Sequence, residues 1–371
     1  MTSAVEDSSN TLRISAVSKD QNLSKQDKQA DAFSSQGMFD VAARVRRCRP
    51  YMRCGLVLVC PHCSKAHAQK EKTILERIYD QNTFDEQDIA LQNDLRPVVE
   101  SLEEGLNDVG RKLWAGHGRK GDQYWGKTTE RKNEVIRFLR GLKKSSWAFA
   151  AVGHVGVARR IRGAFEKLIK ALVRGPARYS QYQRQSYMEM ISSIKRHVSS
   201  PLDTGWQLIE LKIKDDAAAS EPLKLVKKGI SKLAKALEGP TSGIVCYCDM
   251  KPGKGFDHVH AWYRGPRLTQ EDLLEIWQQA TGEEKVSVWI IDKSAEDGVG
   301  NYAHYSMDSH RKRYPFSEEE RVKAHLVKGR KHLVNWYGCL KEEKTRVLAE
   351  QKGLAGAVQG LCHGDSWRIA S

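Results

Sequence analysis

Hydrophobic and polar positions alternate most regularly in the second half of the chain, from Trp206 onward. "WQLIELKIK" predicts a strand, "GIVCYCDM" and "HVHAWYRG" predict two more joined by the turn-rich "KPGKGFD", and "KVSVWIID" predicts a fourth. Helical spacing separates them in "EPLKLVKKGISKLAKALEG" and in "LTQEDLLEIWQQATG", where Thr269 and Asp272 predict a capping box. The order strand-helix-strand-strand-helix-strand predicts an α+β fold, the ferredoxin-like split βαβ with an antiparallel sheet.

The first half of the chain is organised differently. Residues 1–40 are rich in Ser, Asp, Gln and Lys with scattered apolar positions, so we expect a disordered arm. A short Cys-rich segment over 41–70 is followed by a helix-rich basic region over 71–200, with amphipathic stretches such as "RRIRGAFEKLIKALVRG". The strand-rich domain then covers 201–315, and we expect a helical C-terminal extension and tail over 316–371.

Charge and composition indicate the class of partner. The chain has 61 Lys and Arg against 46 Asp and Glu, a net charge of +15, which makes a polyanion such as DNA the expected partner. We find no apolar run near the roughly 20 residues that span a bilayer, and the N-terminus lacks a signal-peptide layout. Eight cysteines in such a chain indicate reduced thiols. We therefore expect a cytoplasmic protein with no membrane partner.

Half of the cysteines fall within one stretch of sixteen residues, namely Cys48, Cys54, Cys60 and Cys63. The "CPHC" knuckle is typical of zinc sites, so the segment predicts a four-thiolate structural zinc site, with His62 or His67 as substitutes for one cysteine. Such a site would present its neighbouring arginines to DNA phosphates. The alternative is that Cys48 and Cys54 are small buried residues.

The triplet "HVH" lies inside a predicted strand. Alternate strand residues point to one face, so His258 and His260 project side by side in a geometry that suits one shared metal ion. Asp249 ends the neighbouring strand and can supply a carboxylate to the same ion. This donor set leaves open positions and admits Mn²⁺ or Mg²⁺ as well as Zn²⁺. The alternative is two core histidines and a turn aspartate; Cys246 and Cys248 are interpreted as core packing.

A candidate nucleophile follows the last predicted strand. Tyr302 and Tyr305 in "NYAHYSMD" lie three residues apart and would share one face of a short helix. A tyrosine hydroxyl can attack a phosphate when a divalent ion polarises the phosphoryl oxygen. The basic run just beyond, Arg311, Lys312 and Arg313, is expected to bind the DNA backbone. An ordinary half-buried tyrosine pair is the alternative.

These motifs carry a family resemblance. The strand "WQLIELKIK", the acidic-ended strand "GIVCYCD", the triplet "HVH" and the segment "AHYS" resemble, in order and spacing, the motifs of HUH endonucleases. The closest fit is to the rolling-circle replication initiators of bacterial plasmids, which also tend to carry a Cys-Pro-x-Cys near the N-terminus, where this chain has "CPHC". The resemblance covers about residues 44–70 and 205–310.

The resemblance implies roles for individual residues. His258, His260 and Asp249 would be the ligands of a catalytic Mn²⁺ or Mg²⁺, and Tyr305 would be the nicking nucleophile. Its attack would form a 5′-phosphotyrosyl link at a single-stranded origin site and leave a 3′-hydroxyl for a host polymerase, with a host helicase as a further partner. The implied setting is a plasmid-encoded initiator in a prokaryotic cytoplasm.

The chain departs from the family pattern at two positions. The lysine that usually stands three residues after the tyrosine is Asp308, and the glutamate that some relatives place one turn before it is Asn301. Because an amide cannot activate water, Tyr302 is a candidate second nucleophile for termination. Two further interpretations stay open: a non-cleaving, zinc-containing, sequence-specific DNA-binding protein that resembles a repressor, and a relaxase or transposase of the same fold.

Overall fold

A computed structural model describes ten stretches of the chain, namely residues 25–49, 52–56, 60–81, 84–114, 128–175, 181–213, 222–251, 255–291, 317–328 and 334–364. Over these residues the fold is α+β and mostly helical, with a five-stranded antiparallel sheet. None of the helices in these stretches combines the length and the apolar composition that crossing a bilayer requires.

The helices in these stretches are α1 (25–35), α2 (Phe39–Arg47), α3 (Pro61–Asp80), α4 (Asp85–Trp114), α5 (Thr128–Ser145), α6 (Trp147–Ala151), α7 (Val155–Arg174), α8 (Gln181–Ser199), α9 (Pro222–Ala236), α10 (Gln270–Thr281), α11 (Glu318–Lys328) and α12 (Cys339–Gly364). The strands are β1 (Thr204–Ile213), β2 (Gly243–Lys251), β3 (Gly255–Pro266), β4 (Val286–Ile291) and β5 (Val334–Gly338). A 3₁₀ turn, Ser200–Leu202, leads from α8 into β1.

The strands lie side by side in the order β4-β1-β3-β2-β5, and every neighbouring pair is antiparallel. The four strands and two helices predicted from periodicity are present in the predicted order, β1-α9-β2-β3-α10-β4. The Thr269 hydroxyl accepts a hydrogen bond from the Asp272 backbone N–H at 3.2 Å, as the capping motif predicts. The prediction missed β5, because its five residues are too few to show an alternating pattern and become a strand by pairing with β2.

The sheet is covered on both faces. The face called here the α9 face carries Ile209, Leu211, Val259 and Ala261, all fully buried beneath α9 and α10. The other, called the α3 face, packs against α3 and α12 through Leu208, Val245, Tyr247 and Trp262. Burying a large apolar side chain contributes about 1.5–3 kcal/mol to the free energy of unfolding, so these two apolar layers are the main source of stability of the sheet and the helices that cover it.

Helices α4 to α8 form a bundle with its own apolar core, which includes Leu102, Leu106, Ile161, Phe165, Leu168 and Ile194. A buried ion pair fastens the bundle to the sheet: Arg264 Nη2 on β3 lies 2.5 Å from Asp88 Oδ2 on α4. The same guanidinium donates to the Thr241 carbonyl at 2.8 Å and lies 4.0 Å from the centre of the Phe84 ring. Breaking one partner of such a pair would leave a buried charge uncompensated.

Residues 25–35 correct the prediction of a disordered arm, since they form α1. Ala30 and Phe33 on this helix are fully buried in a cluster with Val45, Cys48 and Val322. The helix is also held by polar contacts, because the Gln29 side chain donates to the Glu318 carbonyl at 3.1 Å. Two apolar side chains one turn apart are too few to predict a buried helix from the sequence. They are enough to hold α1 in place when they insert into a cluster formed by distant segments of the chain.

His154, between α6 and α7, predicts an acid-sensitive step in stability. It is 1% exposed, and neither ring nitrogen has a hydrogen-bond partner within the described part of the chain. Burial, the main cause, lowers the pKa of His154 to about 4, and Asp88 opposes this shift. Because the folded pKa lies below the unfolded value of about 6.5, the neutral side chain contributes stability above pH 6.5 that is lost as pH falls towards 4.

The His154→Leu variant removes this titration. Between pH 7 and pH 4.5 the free energy of unfolding should fall in both proteins. We expect the fall to be smaller in the variant than in the wild type, and the difference between the two falls to be roughly 2 kcal/mol. Urea denaturation at the two pH values measures the difference. Equal pH dependence in the two proteins would contradict the assignment.

Candidate metal centres

Asp249, His258 and His260 meet on the α3 face of the sheet. The two histidines are alternate residues of β3, so their side chains leave the strand on the same side. The antiparallel register places Asp249 of β2 directly opposite His258, and Tyr247 directly opposite His260. The strand period and the hairpin register together therefore bring the carboxylate and both imidazoles to one point.

The distances between these three side chains suit a shared ion. Asp249 Oδ2 lies 3.2 Å from His258 Nε2 and 3.5 Å from His260 Nε2, and the ring centroids are 5.1 Å apart. An ion about 2.1 Å from each atom would separate them by about 3.0–3.4 Å. All three residues are buried, with exposures of 3–8%. One ligand atom of each residue lies within 4.8 Å of the others, so the group could hold a metal ion.

The row of residues across the sheet extends from this centre towards the edge strand. Glu210 of β1 is paired with His260 on one side and with Trp289 of β4 on the other. Trp289 is 58% exposed, whereas His260 is buried. We did not single out Trp289 from the sequence. In "KVSVWIID" it shares a face of the strand with Ser287, whereas Val286, Val288 and Ile290 form the apolar face.

Tyr247 is the tyrosine that the register places beside His260. It is 2% exposed, and its hydroxyl has no hydrogen-bond partner among the residues of the described ranges. Burial, and next the charge of Glu71, raise the pKa of Tyr247 well above its usual value. This phenol stays protonated at neutral pH, so it is not suited to act as a nucleophile.

A second group is formed by four cysteines, as the sequence predicts: Cys48, Cys54, Cys60 and Cys63. Their sulfur atoms all lie within 4.8 Å of one another; Cys63 Sγ is 3.5 Å from Cys54 Sγ and 3.6 Å from Cys48 Sγ. Tetrahedral zinc with Zn–S bonds of about 2.3 Å would place its ligands about 3.8 Å apart. The group can hold a metal ion, and it includes neither His62 nor His67.

The start of α3 favours the ionised form of one of these thiols, that of Cys63. Cys60 is the N-cap of α3 and Cys63 lies in its first turn, where the helix dipole stabilises negative charge. Hydrogen bonds from the thiols of Cys54 and Cys60 also hold the pKa of Cys63 far below its usual value. The hydrogen bonds with Cys54 and Cys63 raise the pKa of Cys60, so the negative charge of the group rests on Cys63. A thiolate is the form that binds metals, and the other thiols would lose their protons when a metal binds.

Arginines near the cluster bind the loop that carries it. Arg44 donates to the Cys54 carbonyl at 2.7 Å, and Arg49 donates to the Cys48 carbonyl at 2.7 Å. Arg53 donates to the carbonyl of His62 at 2.6 Å. The sequence suggested only a role in binding phosphates, whereas these guanidinium groups also shape the loop. The arginines near the cysteines are an ambiguous sequence feature, because a guanidinium can donate hydrogen bonds to a backbone carbonyl as well as to a phosphate.

Helix α3 connects the two centres. Its first turn belongs to the cysteine cluster, and its later residues Ile74, Leu75 and Ile78 pack on the α3 face, where Tyr247 and the histidines lie. The Glu71 carboxylate accepts a hydrogen bond from Trp336 Nε1 at 2.8 Å, which ties α3 to β5. Helix α3 thus contacts the cysteine cluster at its start and the sheet along its later turns.

Other residues singled out in the sequence lie elsewhere. Cys246 and Cys248 point to the α9 face and are buried in its core, and burial raises the pKa of Cys248 to about 12; the prediction of core packing is confirmed. The tyrosines and the basic run lie outside the described residues: Tyr302, Tyr305, Arg311, Lys312 and Arg313. No protein-family model, no curated protein and no solved structure matches this chain.

Proposed function

We propose that the protein is a metal-dependent endonuclease that nicks one DNA strand at a plasmid origin and starts rolling-circle replication. The observation that carries the proposal is the convergence of Asp249, His258 and His260 at metal-ligand distances on one face of the sheet. Two imidazoles and one carboxylate leave coordination positions open, which a catalytic site requires. Such a donor set admits Mn²⁺ or Mg²⁺.

The topology also supports the proposal. The element order β1-α9-β2-β3-α10-β4 and the strand order β4-β1-β3-β2 are consistent with a ferredoxin-like split βαβ, to which β5 would add an edge strand. The "HVH" triplet lies on β3, the central strand, and the acidic residue ends the strand next to it. This is the arrangement expected from the motif order of the HUH endonucleases.

The chemistry assigns one role to each group. The bound divalent ion would polarise a phosphoryl oxygen at the scissile position. The Tyr305 hydroxyl would attack that phosphorus and lose its proton, while the bond to the 3′-oxygen breaks and that oxygen gains a proton. The products are a 5′-phosphotyrosyl link and a free 3′-hydroxyl, from which a host polymerase, aided by a helicase, would extend.

The cysteine group is assigned a structural zinc ion. Four thiolates close the coordination sphere and leave no position for a substrate. Its place at the start of α3 makes it suited to hold that helix over the face that carries Asp249 and the histidines. The net charge of +15 would attract the phosphate backbone of DNA independently of its base sequence.

A covalent-adduct assay tests the proposal. Purified full-length protein is mixed with a labelled library of random single-stranded DNA and Mn²⁺, and adducts that survive SDS are isolated and their DNA sequenced. We expect an adduct at a recurrent sequence, lost in EDTA and in Tyr305→Phe. Tyr302→Phe is the matched control: it should still form the adduct, and any defect should appear only in strand closure.

The outcomes separate the alternatives. Sequence-specific binding with no Mn²⁺- or Mg²⁺-dependent adduct would favour the non-cleaving, repressor-like protein and exclude the proposal. An adduct that persists in Tyr305→Phe would assign the nucleophile to another residue. Adducts recovered only at transfer-origin or transposon-end sequences, in a library that includes them, would indicate a relaxase or a transposase of the same fold.

A further inference from the structure

The solvent face of α9 carries an unbroken row of lysines. Lys224, Lys228, Lys232 and Lys235 follow one another at spacings of four, four and three residues, so they lie on one side of the helix. All four are exposed, and the helix, "PLKLVKKGISKLAKA", contains no Asp or Glu. The row extends from the first turn of α9 to its last turn.

This charge pattern opposes the folding of α9 in two ways. Like charges three or four residues apart on a helix repel each other. Lys224, in the first turn, also faces the positive end of the helix dipole. Lys228, Lys232 and Lys235 have no ion pair with any residue in the described ranges that would offset this repulsion. A negatively charged ligand would offset it.

The second half of α9 borders a cleft of about 470 Å³ against α7, α8 and α10. Lys232 and Lys235 line this cleft together with Arg159 of α7 and Arg196 of α8. Arg159 Nη1 donates to the Lys235 carbonyl at 3.3 Å, so this arginine is held at the end of α9. We name Lys224, Lys228, Lys232, Lys235, Arg159 and Arg196 together the basic surface.

The carboxylates in the cleft are mostly engaged with other cations. Lys167 Nζ is 2.6 Å from Glu275 Oε1, and His197 Nδ1 is 3.6 Å from Asp272 Oδ2. These contacts join α7 and α8 to α10 and do not involve Lys232 or Lys235. The cleft therefore has a surplus of positive charge on the side formed by α9.

The basic surface is separate from the Asp249–His258–His260 centre. Helix α9 packs on the α9 face through Leu223, Val226 and Ile230, whereas the centre lies on the α3 face. The whole thickness of the sheet stands between them. A ligand on the basic surface would not contact the metal centre, so this surface would be a second site.

We propose that the basic surface binds the sugar–phosphate backbone of duplex DNA. The 15 residues of α9 extend about 22 Å, which matches about six base pairs of duplex. Sites for single strands use aromatic side chains on which bases stack. No aromatic residue is among the described residues that line the cleft. The chemistry thus fits phosphate contacts that do not depend on base sequence.

Fluorescence anisotropy with a labelled duplex of about 20 base pairs, and with one of its strands alone, tests this inference. The variant combines Lys228→Gln, Lys232→Gln and Lys235→Gln. We expect its affinity for duplex to fall roughly 100-fold at about 100 mM salt, and the slope of log affinity against log salt to decrease by about 2.7, since each lost phosphate contact removes about 0.9.

A matched variant removes three exposed lysines elsewhere: Lys323→Gln, Lys341→Gln and Lys352→Gln. It should bind duplex within about twofold of the wild type, because its lysines lie outside the basic surface. Wild-type affinity and slope in the α9 variant, or an equal loss in the matched variant, would overturn the inference. So would a wild-type protein that binds single strands but not duplex.

Three further measurements separate this inference from folding defects and from the proposed nicking activity. The melting temperature of the α9 variant without DNA should not fall, because the substitutions remove repulsion. The single variant Lys232→Gln, which alters only one side chain, should reduce the magnitude of the slope of log affinity against log salt by about 0.9. Adduct formation with short single strands should be unchanged in the α9 variant, so duplex binding and nicking can fail independently.

Discussion

Replacing both His258 and His260 with alanine should lower the rate of DNA nicking by roughly 1000-fold or more. Under the proposed function, the ion that these side chains would hold contributes several kcal/mol to the stabilisation of the developing charge, and each 1.4 kcal/mol corresponds to about tenfold in rate. Asp249 alone cannot retain the ion, because a single carboxylate would remain where three donors now meet. The variant should therefore lose metal affinity together with activity.

Two measurements on the same samples separate this result from unfolding. Titration calorimetry with Mn²⁺ should show binding in the wild type and none in the double variant, and circular dichroism should show retained helix content. His154→Leu is the matched control, since it removes a buried histidine far from the centre and should nick at pH 7 as the wild type does. A double variant that nicks normally would exclude this centre as the catalytic one.

Replacing Cys63 with serine should release zinc and destabilise the protein by several kcal/mol. Zinc binding to structural thiolate sites contributes on the order of 10 kcal/mol, part of which is retained by the remaining ligands. Cys63 Sγ is close to both Cys54 and Cys48 and carries the lowered pKa, so it is the ligand whose loss should weaken the cluster most. Nicking should also decrease, because α3 begins at this cluster.

Zinc content by mass spectrometry and the free energy of unfolding by urea denaturation check this expectation. The wild type should contain close to one zinc per chain, and Cys63→Ser should contain much less. Cys339→Ala removes a buried cysteine outside the cluster and should keep the zinc. Equal zinc content in Cys63→Ser and the wild type would show that the cluster holds no zinc through this residue.

The elements of the sheet domain could be predicted because each has a local signal. The alternation in "WQLIELKIK" and the capping pair Thr269 and Asp272 depend only on residues close in sequence, and both predictions are confirmed. Helix α1 and strand β5 lack such signals. They form because Phe33 enters a cluster with Val322 and because β5 pairs with β2, contacts between residues far apart in the chain.

The same distinction holds for the metal centres. His258 and His260 were predicted to share a face because the strand period is two, and Cys60 and Cys63 because their spacing is that of a knuckle. Trp289 and the lysine row of α9 were not singled out. An exposed aromatic or a lysine row gains meaning only when its neighbours on other elements are seen in three dimensions.

The sequence by itself determined the α+β class, the order of the elements in the sheet domain, the two sets of candidate ligands and the excess of positive charge. Periodicity, spacing and composition are local or summed properties, so one chain is enough to state them. Only the tertiary structure decided that Asp249 faces His258 across the hairpin, that α3 joins the cysteine cluster to the α3 face, and that the basic surface lies across the sheet from the histidines. These relations depend on strand register and on packing between distant segments, which are set by the burial of the whole core.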